Sequence, residues 1–314
     1  MRMNKYLFVG MLAVCGLCSC SNDEDPIDSG SAKSMEISAG IGATTRAVID
    51  AGYSSDLPVS FGRLDNPSGN TAWDAAINAV RAGGSNNTSV TFGTTQTYSD
   101  KNGESALIGF YPQASFSSTT NPAKVAYTIT GDEDIMATEL QKGTATNVFQ
   151  PFTFQHLLTQ LQFKCVGSSD AVNKWTKITS ITVKEVPTAL ELSIDRVTGA
   201  SLAVAANPEN AGLPILNCPE AVVSTDPKVG YLMLYPTEKM GTADAAISLV
   251  VKATYENIEK ELTVPINNIA DGVKAGQSHM ITLNFTVTGE ITVEAGIAEW
   301  QPGNGGGSTI VPGN

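Results

Sequence analysis

Ile247, Leu249, Val251, Ala253 and Tyr255 stand on alternate positions, with Ser248, Val250, Lys252 and Thr254 between them. A period of two puts every second side chain on one face of an extended strand, and a chain written this way cannot bury the same residues as a helix. The pattern recurs throughout the second half, in Leu161, Phe163 and Cys165, in Ile181 and Val183, in Leu190, Leu192 and Ile194, in Ile281, Leu283, Phe285 and Val287, and in Ile291, Val293, Ala295 and Ile297. Tyr231 to Tyr235 reads as a further strand closed by Pro236, and Asn207-Pro208, Gly241 and Asp271-Gly272 supply turns. The first half carries a similar, shorter set: Val59 and Phe61, Val90 and Phe92, the apolar run Leu107 to Tyr111 ended by Pro112, and Val125, Tyr127 and Ile129. Between the first two of these, Trp73, Ala76, Ile77 and Val80 have helical spacing, stopped by Gly83-Gly84, and predict a short helix over Thr71 to Arg81. The expectation is an all-β protein with few short helices, built as two β-sandwich domains in tandem over residues 34–150 and 151–302, with a tail over 303–314.

The N-terminus has a different character. Arg2 and Lys5 precede an apolar run from Tyr6 to Leu17 that is too short to cross a bilayer as a helix, so it reads as an export signal. It ends in Leu17-Cys18-Ser19-Cys20, which resembles the lipobox of bacterial lipoproteins, with residues 1–19 removed and Cys20 acylated. Several acyl chains on one residue would hold the protein on a membrane far more firmly than one chain. Ser21-Asn22-Asp23-Glu24-Asp25 is similar to the acidic stretch that marks surface-exposed lipoproteins of the Bacteroidota. Residues 20–33 are polar and rich in Gly and Ser, as in a flexible tether.

After that tether comes a first strand in which Met35, Ile37, Ala39 and Ile41 alternate with small or polar residues, followed by a lone basic residue, Arg46. A sandwich that loses such a strand is left with an apolar groove and unpaired backbone groups, which invites another chain to add a strand. The sequence thus predicts a subunit that is opened by cleavage between Arg46 and Ala47 and then filled. A candidate donor strand is Ser308-Thr309-Ile310-Val311, tethered by the flexible Gly303 to Gly307.

Thr44-Thr45-Arg46-Ala47, Gly109-Phe110-Tyr111-Pro112, Phe154-Gln155-His156-Leu157, Val273-Lys274-Ala275-Gly276-Gln277 and Ile297-Ala298-Glu299-Trp300 resemble, in order and spacing, the fimbrillin-like proteins of Bacteroidales, which build type V pili. The likeness implies two transthyretin-like β-sandwich domains, export as a lipoprotein to the outer membrane and cell surface, cleavage after the Arg by a trypsin-like protease, and polymerisation by strand exchange into a fimbrium. The partners it implies are other pilus subunits, the processing protease, the lipid anchor in the outer membrane, and a ligand on a host or bacterial surface.

Other chemistries find little support. Lys and Arg total 19 against 31 Asp and Glu, a net charge of −12 that repels nucleic acid and anionic lipid. With two histidines, His156 and His279, and no Gly-rich phosphate loop, nucleophile elbow or metal-ligand cluster, the sequence predicts neither an enzyme nor a cofactor. Both histidines read first as hydrogen-bonded structural residues. Gly131-Asp132-Glu133-Asp134 lacks the spacing of a calcium loop and reads as a solvated turn. Cys165 falls on an inward strand face, where a buried thiol is common, while a bond between Cys165 and Cys218 is open to an exported protein and would contribute about 4 kcal/mol in the loop-entropy picture. The competing reading is a surface lipoprotein that never polymerises and captures glycans with aromatic side chains, for which Trp73, Trp175 and Trp300 are the candidates.

Overall fold

The computed structural model describes residues 33–42, 49–99, 103–208, 210–215 and 230–298. In chain order the first half contributes β1 (Ile37–Ile41), β2 (Leu57–Asp65), β3 (Ile77–Arg81), β4 (Thr88–Phe92), β5 (Ser105–Tyr111), β6 (Ala123–Thr128), β7 (Met136–Ala137), β8 (Gln141–Gly143) and β9 (Phe152–His156). The second half contributes β10 (Thr159–Gly167), the short α1 (Ser169–Lys174), β11 (Trp175–Pro187), β12 (Ala189–Asp195), β13 (Gly199–Val204), β14 (Asn210–Pro214), β15 (Gly230–Leu234), β16 (Ile247–Tyr255), β17 (Ile258–Ile266), β18 (Ser278–Phe285) and β19 (Ile291–Ala298). The chain is all-β, as the alternation predicts, and α1 is the one helix among the described residues, capped by the Ser168 side chain on the Ala171 N–H.

Eight of the first nine strands form one sheet, in the order β2-β3-β4-β1-β9-β7-β5-β8, and β2 also pairs with β5. That extra pairing closes the ladder into a ring β2-β3-β4-β1-β9-β7-β5, a solution that leaves its members no free edge. Inside the ring lies a core of Met35, Ile37, Ala39, Ile41, Val59, Phe61, Leu107, Phe152 and Phe154, among others. Its aromatic centre is built edge to face, with Phe61 at 5.5 Å from Phe152 and 6.3 Å from Phe154. β5 is buried on both faces because its alternate residues enter different cores: Leu107 points into the ring, while Ala106, Ile108 and Phe110 point to its outside. Gly109 lets the two Phe rings approach, since a Cβ there would sit 2.9 Å from Phe154 and 3.0 Å from Phe61.

The outer face of the ring is covered by a three-stranded sheet, β13-β12-β6, whose Val125, Tyr127, Leu190, Leu192 and Ile194 complete a second core with Ile108 and Phe110. β6 comes from the first half of the chain and the β12–β13 hairpin from the second, paired from Ala189↔Thr128 to Ile194↔Ala123. β9, from beyond residue 150, likewise joins the ring. The two halves are therefore knitted together by strands exchanged across Gln150. A third core lies between the sheets β15-β10-β18-β19 and β14-β11-β16-β17, with Trp175, Leu249, Val251, Ile281 and Leu283 among its members. β15 is common to two cores, with Leu232 and Leu234 in the third and Tyr231 and Met233 in the second.

The helix expected over Thr71 to Arg81 is not formed. Residues 77–81 are β3, with Ala79 and Arg81 buried and Asn78 and Val80 exposed, a period of two. Trp73 belongs to the second core instead: its N–H bonds the Thr119 carbonyl and its Nε1 the Asn121 side chain. The helical spacing of Trp73, Ile77 and Val80 was a coincidence between a loop residue and an edge of a strand.

Candidate functional site

The site is the slot that β1 fills. β1 lies in the interior of the ring, antiparallel to β4 through Ile37↔Val90, Ser38↔Ser89 and Ala39↔Thr88, and parallel to β9 through Ala39↔Phe152, Gly40↔Thr153 and Ile41↔Phe154. Its nearest neighbours along the chain add to the hold. The Met35 N–H bonds the Gln96 carbonyl at 2.8 Å, the Gly42 N–H bonds the Phe154 carbonyl at 2.7 Å, and the Tyr98 N–H bonds the Lys33 carbonyl at 3.0 Å. The four side chains singled out by the alternation, Met35, Ile37, Ala39 and Ile41, are all buried in the ring core, and Ala39 is wholly inaccessible. Three large apolar side chains at about 1.5–3 kcal/mol each make this strand worth a large part of the stability of an ordinary domain.

None of these contacts is local in sequence. β4 begins at Thr88 and β9 at Phe152, so β1 is bound by folding of the remainder and not by a hairpin of its own. The chain leaves β1 toward Ile49 through residues 43–48, which include the expected cleavage position. Arg46 and Ala47 themselves lie outside the described residues, as do Cys20, Ser308 to Val311, Cys218 and Trp300. Cys165 is buried on β10 within the third core.

The other candidates find structural roles. On β9, His156 Nδ1 lies 2.7 Å from Asp134 Oδ2, and neither side chain is exposed. His279, on β18, is buried, and burial lowers its pKa from the ordinary value. In the acidic turn the Glu133 carboxylate accepts from the Thr130 and Gly131 N–H groups and from the Thr130 hydroxyl, at 2.6–3.0 Å. Among the described residues no group of His, Cys, Asp and Glu has the arrangement of a metal site. Trp73 and Trp175 are buried, and Trp175 Nε1 bonds the Thr286 carbonyl at 2.8 Å, so neither face is open to a sugar ring.

One residue of the slot was not singled out by its sequence. Arg81, at the end of β3, is a fully buried guanidinium that reaches the backbone of β1. Its inward position in the alternation Ile77-Asn78-Ala79-Val80-Arg81 was a signal, hidden by the helical reading of the same stretch.

The fold is an all-β one, a closed ring of strands that includes β1, joined to a further pair of sheets. The sequence profile described as fimbrillin-like matches residues 45–300, and the chain belongs to that family. It is thus a structural protein of cell-surface fimbriae and not an enzyme. Among solved structures, the fold is similar to a candidate cell adhesion protein from Bacteroides uniformis, at 16% identity and a TM-score of 0.59, covering 86% of this chain and 99% of that one. It is similar to another from Bacteroides ovatus at 17% identity and a TM-score of 0.57, covering 86% of this chain and 99% of that one. A third, from Parabacteroides distasonis, is 11% identical with a TM-score of 0.51, covering 87% and 98%. No curated protein sequence gives a significant match.

Proposed function

We propose that the chain is the precursor of a pilus subunit, exported as a lipoprotein acylated on Cys20, cut by a trypsin-like protease after Arg46, and polymerised when a strand of another subunit takes the place of β1. The observation that carries this reading is the position of β1. It is a member of the closed ring, paired on both sides, yet joined in sequence to the other strands of the ring only through residues 43–48. A cut after Arg46 leaves the pairings of Ile37–Ile41 with β4 and β9 in place while removing the covalent hold. The family match beginning at residue 45 is in keeping with a processed subunit that starts after β1.

The magnitudes favour replacement over release. Losing β1 outright would expose three large apolar side chains and two rows of backbone groups, a cost comparable with the whole stability of a domain. An incoming extended strand that offers apolar residues at alternate positions restores both terms at once. The proposed donor is the tail segment Ser308-Thr309-Ile310-Val311. The division into two tandem domains near residue 150 belongs to the same proposal, with the β12–β13 hairpin and β9 as the elements that join them.

Brief trypsin treatment of the lipid-free protein tests the reading. The expected result is a new N-terminus at Ala47 and conversion of monomer into high-mass species, with Arg46→Ala remaining monomeric and deletion from Gly305 onward cleaved but monomeric. Cleaved protein that stays monomeric at high concentration would overturn polymerisation by this chain alone and favour the glycan-binding alternative or a terminal place in the fibre. Cys20→Ala is expected to lose acyl labelling and membrane association.

A further inference from the structure

Arg81 is a positive charge taken wholly out of water, and its acceptors are unusual. Nε donates to the Ala39 carbonyl at 2.9 Å, Nη1 to the Ala82 carbonyl at 3.2 Å, and Nη2 to the Gly84 and Asn86 carbonyls at 2.8 and 3.0 Å. All four are backbone oxygens. A buried guanidinium is usually met by a carboxylate, which is bidentate and cancels the charge. Here the turn between β3 and β4 wraps the guanidinium with three carbonyls, and the fork is rigid and planar. The turn thereby fixes the plane, and Nε–H is aimed into the slot at the Ala39 carbonyl of β1.

When β1 is absent, three of the four acceptors stay with the ring and one leaves. The Nε–H is then a buried charged donor facing an empty position, a state that costs more than an ordinary unmade hydrogen bond. What restores it is a backbone carbonyl, which an extended segment turns to one side at every second residue, so this donor excludes a slip of one residue and leaves a slip of two to the side-chain positions. Slipping a strand by one residue turns its side chains to the opposite face, which the ring core forbids. Slipping it by two keeps the faces but moves other residues into the places of Ala39 and Gly40. Ala39 is fully buried, whereas a Cβ at position 40 would crowd only the far end of the Asn87 side chain, which can turn aside, so the size limit lies at position 39.

We propose that Arg81 is a register-reading residue of the slot: together with the buried position of Ala39 it selects an extended segment of a second subunit that places a backbone carbonyl on Nε and a small residue where Ala39 now stands. The proposal rests on the strand-exchange reading above and specifies which segment the exchange accepts. Arg81 is a positioning residue, recognising the strand through its main chain, which suits a slot that must hold its own β1 before cleavage and a strand of different sequence afterwards.

The test uses the full chain cleaved after Arg46 and fluorescent ten-residue peptides of the 34–43 sequence that compete with the resident β1. One peptide is unmodified, one carries a thioamide in place of the Ala39 carbonyl, and one a thioamide in place of the Ser38 carbonyl; sulfur is the weaker acceptor. In the wild-type protein the Ala39 thioamide is expected to weaken binding about tenfold. In Arg81→Met that penalty should shrink to about twofold or less, while the Ser38 thioamide should cost the same in both proteins. Arg81→Lys, which keeps the charge but not the fork, is expected to fall between them. If the substituted proteins do not fold, the comparison of the two thioamide peptides on wild type decides, because only the Ala39 position faces Nε. An Ala39 penalty that is absent in wild type, no larger than the Ser38 penalty there, or unchanged in Arg81→Met, would overturn the register role while leaving exchange intact. Failure of every peptide to enter the cleaved wild-type protein would overturn strand exchange itself, and the register role with it.

Discussion

The ring and the C-terminal pair of sheets use the same strand chemistry, and both mix hairpins with distant pairings such as β10 with β18, but β1 differs from β16, β17, β18 and β19 in having no hairpin partner at all. In the C-terminal sheets, β16 pairs with β17 from Ile247↔Ile266 to Tyr255↔Ile258 across a two-residue turn, in which Glu256 and Asn257 have φ of 49° and 66°. That is the hand a tight hairpin requires. β18 and β19 are joined in the same local way, from Phe285↔Ile291 to Ser278↔Ala298. In the ring, β1 is paired only with strands that begin about 50 and 115 residues further along, at Thr88 and Phe152. A hairpin strand that came loose would stay at high effective concentration next to its partner. β1 has no such local partner, and its pairings are with β4 and β9 alone. Edges teach the same lesson. β19 closes one side of its sheet with Ile297 at 85% exposure, whereas the strands of the ring are paired on both sides.

The largest effect that could break this contrast is deletion of residues 33–42. The expected outcome is loss of cooperative structure in the ring, by more than about 5 kcal/mol, since three large apolar side chains and both ladders go together. Native-state amide exchange would show it: amides of β2 to β5 and β9 should lose protection, while those of β10, β16 and β18 keep most of theirs. Equal loss in both regions would mean that the β12–β13 hairpin and β15 bind the halves into one cooperative unit, and the contrast would fail. The converse substitution is Trp175→Ala. Trp175 is fully buried, 4.9 Å from the Tyr255 ring and 5.1 Å from that of Phe285, so truncation is expected to cost about 3–5 kcal/mol in the C-terminal core. Calorimetry should then show the C-terminal transition shifted down and the ring, together with peptide exchange into its slot, little changed.

The same contrast explains what could be read from the sequence. Hairpin strands such as β16, β18 and β19 announce themselves by alternation and turn residues, because the information that places them is local. β5 was legible as a strand buried on both faces, since Leu107 to Tyr111 is unbroken by polar residues. The apolar face of β1 was legible too, and Met35, Ile37, Ala39 and Ile41 do turn inward. Its neighbours were not: nothing near Ile37 says that Val90 lies on one side and Phe152 on the other. β17 escaped notice because Ile258–Ile266 is largely exposed and its alternation is interrupted by Glu259, Lys260 and Glu261. β3 reads as a helix because Arg81, the residue that completes its inward face, is charged, and its burial is made tolerable by carbonyls of the following turn and of Ala39, the last of which lies far from it in the sequence.

A smaller effect sharpens the role of the hairpin that spans the halves. At its tip the Asp195 carboxylate accepts from the Val197 and Thr198 N–H groups at 2.8 and 2.9 Å and from the Asn121 side chain at 2.9 Å. The neighbouring Arg196 Nη1 donates to the Pro67 and Asn70 carbonyls, at 2.8 and 2.7 Å. Those two backbone bonds, to Thr198 first and then Val197, hold the Asp195 carboxyl below its usual pKa. Asp195→Ala is expected to cost about 1 kcal/mol. Faster amide exchange should be confined to β12, β13 and β6, because the second core behind them is untouched.

The smallest effect concerns protons and separates the two regions by their histidines. His279 sits on β18 in the C-terminal sheets, and its Nε2 has no hydrogen-bond partner. Burial favours its neutral form and lowers its pKa below the unfolded value of about 6.5. The unfolded chain therefore takes up a proton before the folded one does. Stability is unaffected well above pH 6.5, declines as the pH falls through the unfolded value, and stops declining once it is below the folded pKa. In His279→Leu this part of the decline should vanish. Urea midpoints measured between pH 8 and pH 5 should then fall less steeply than in wild type, while the two proteins keep a constant offset above pH 7. His156 is present in both proteins, so whatever the His156–Asp134 contact contributes in the ring cancels in the comparison. An unchanged slope in His279→Leu would show that burial of this imidazole contributes nothing to the acid sensitivity.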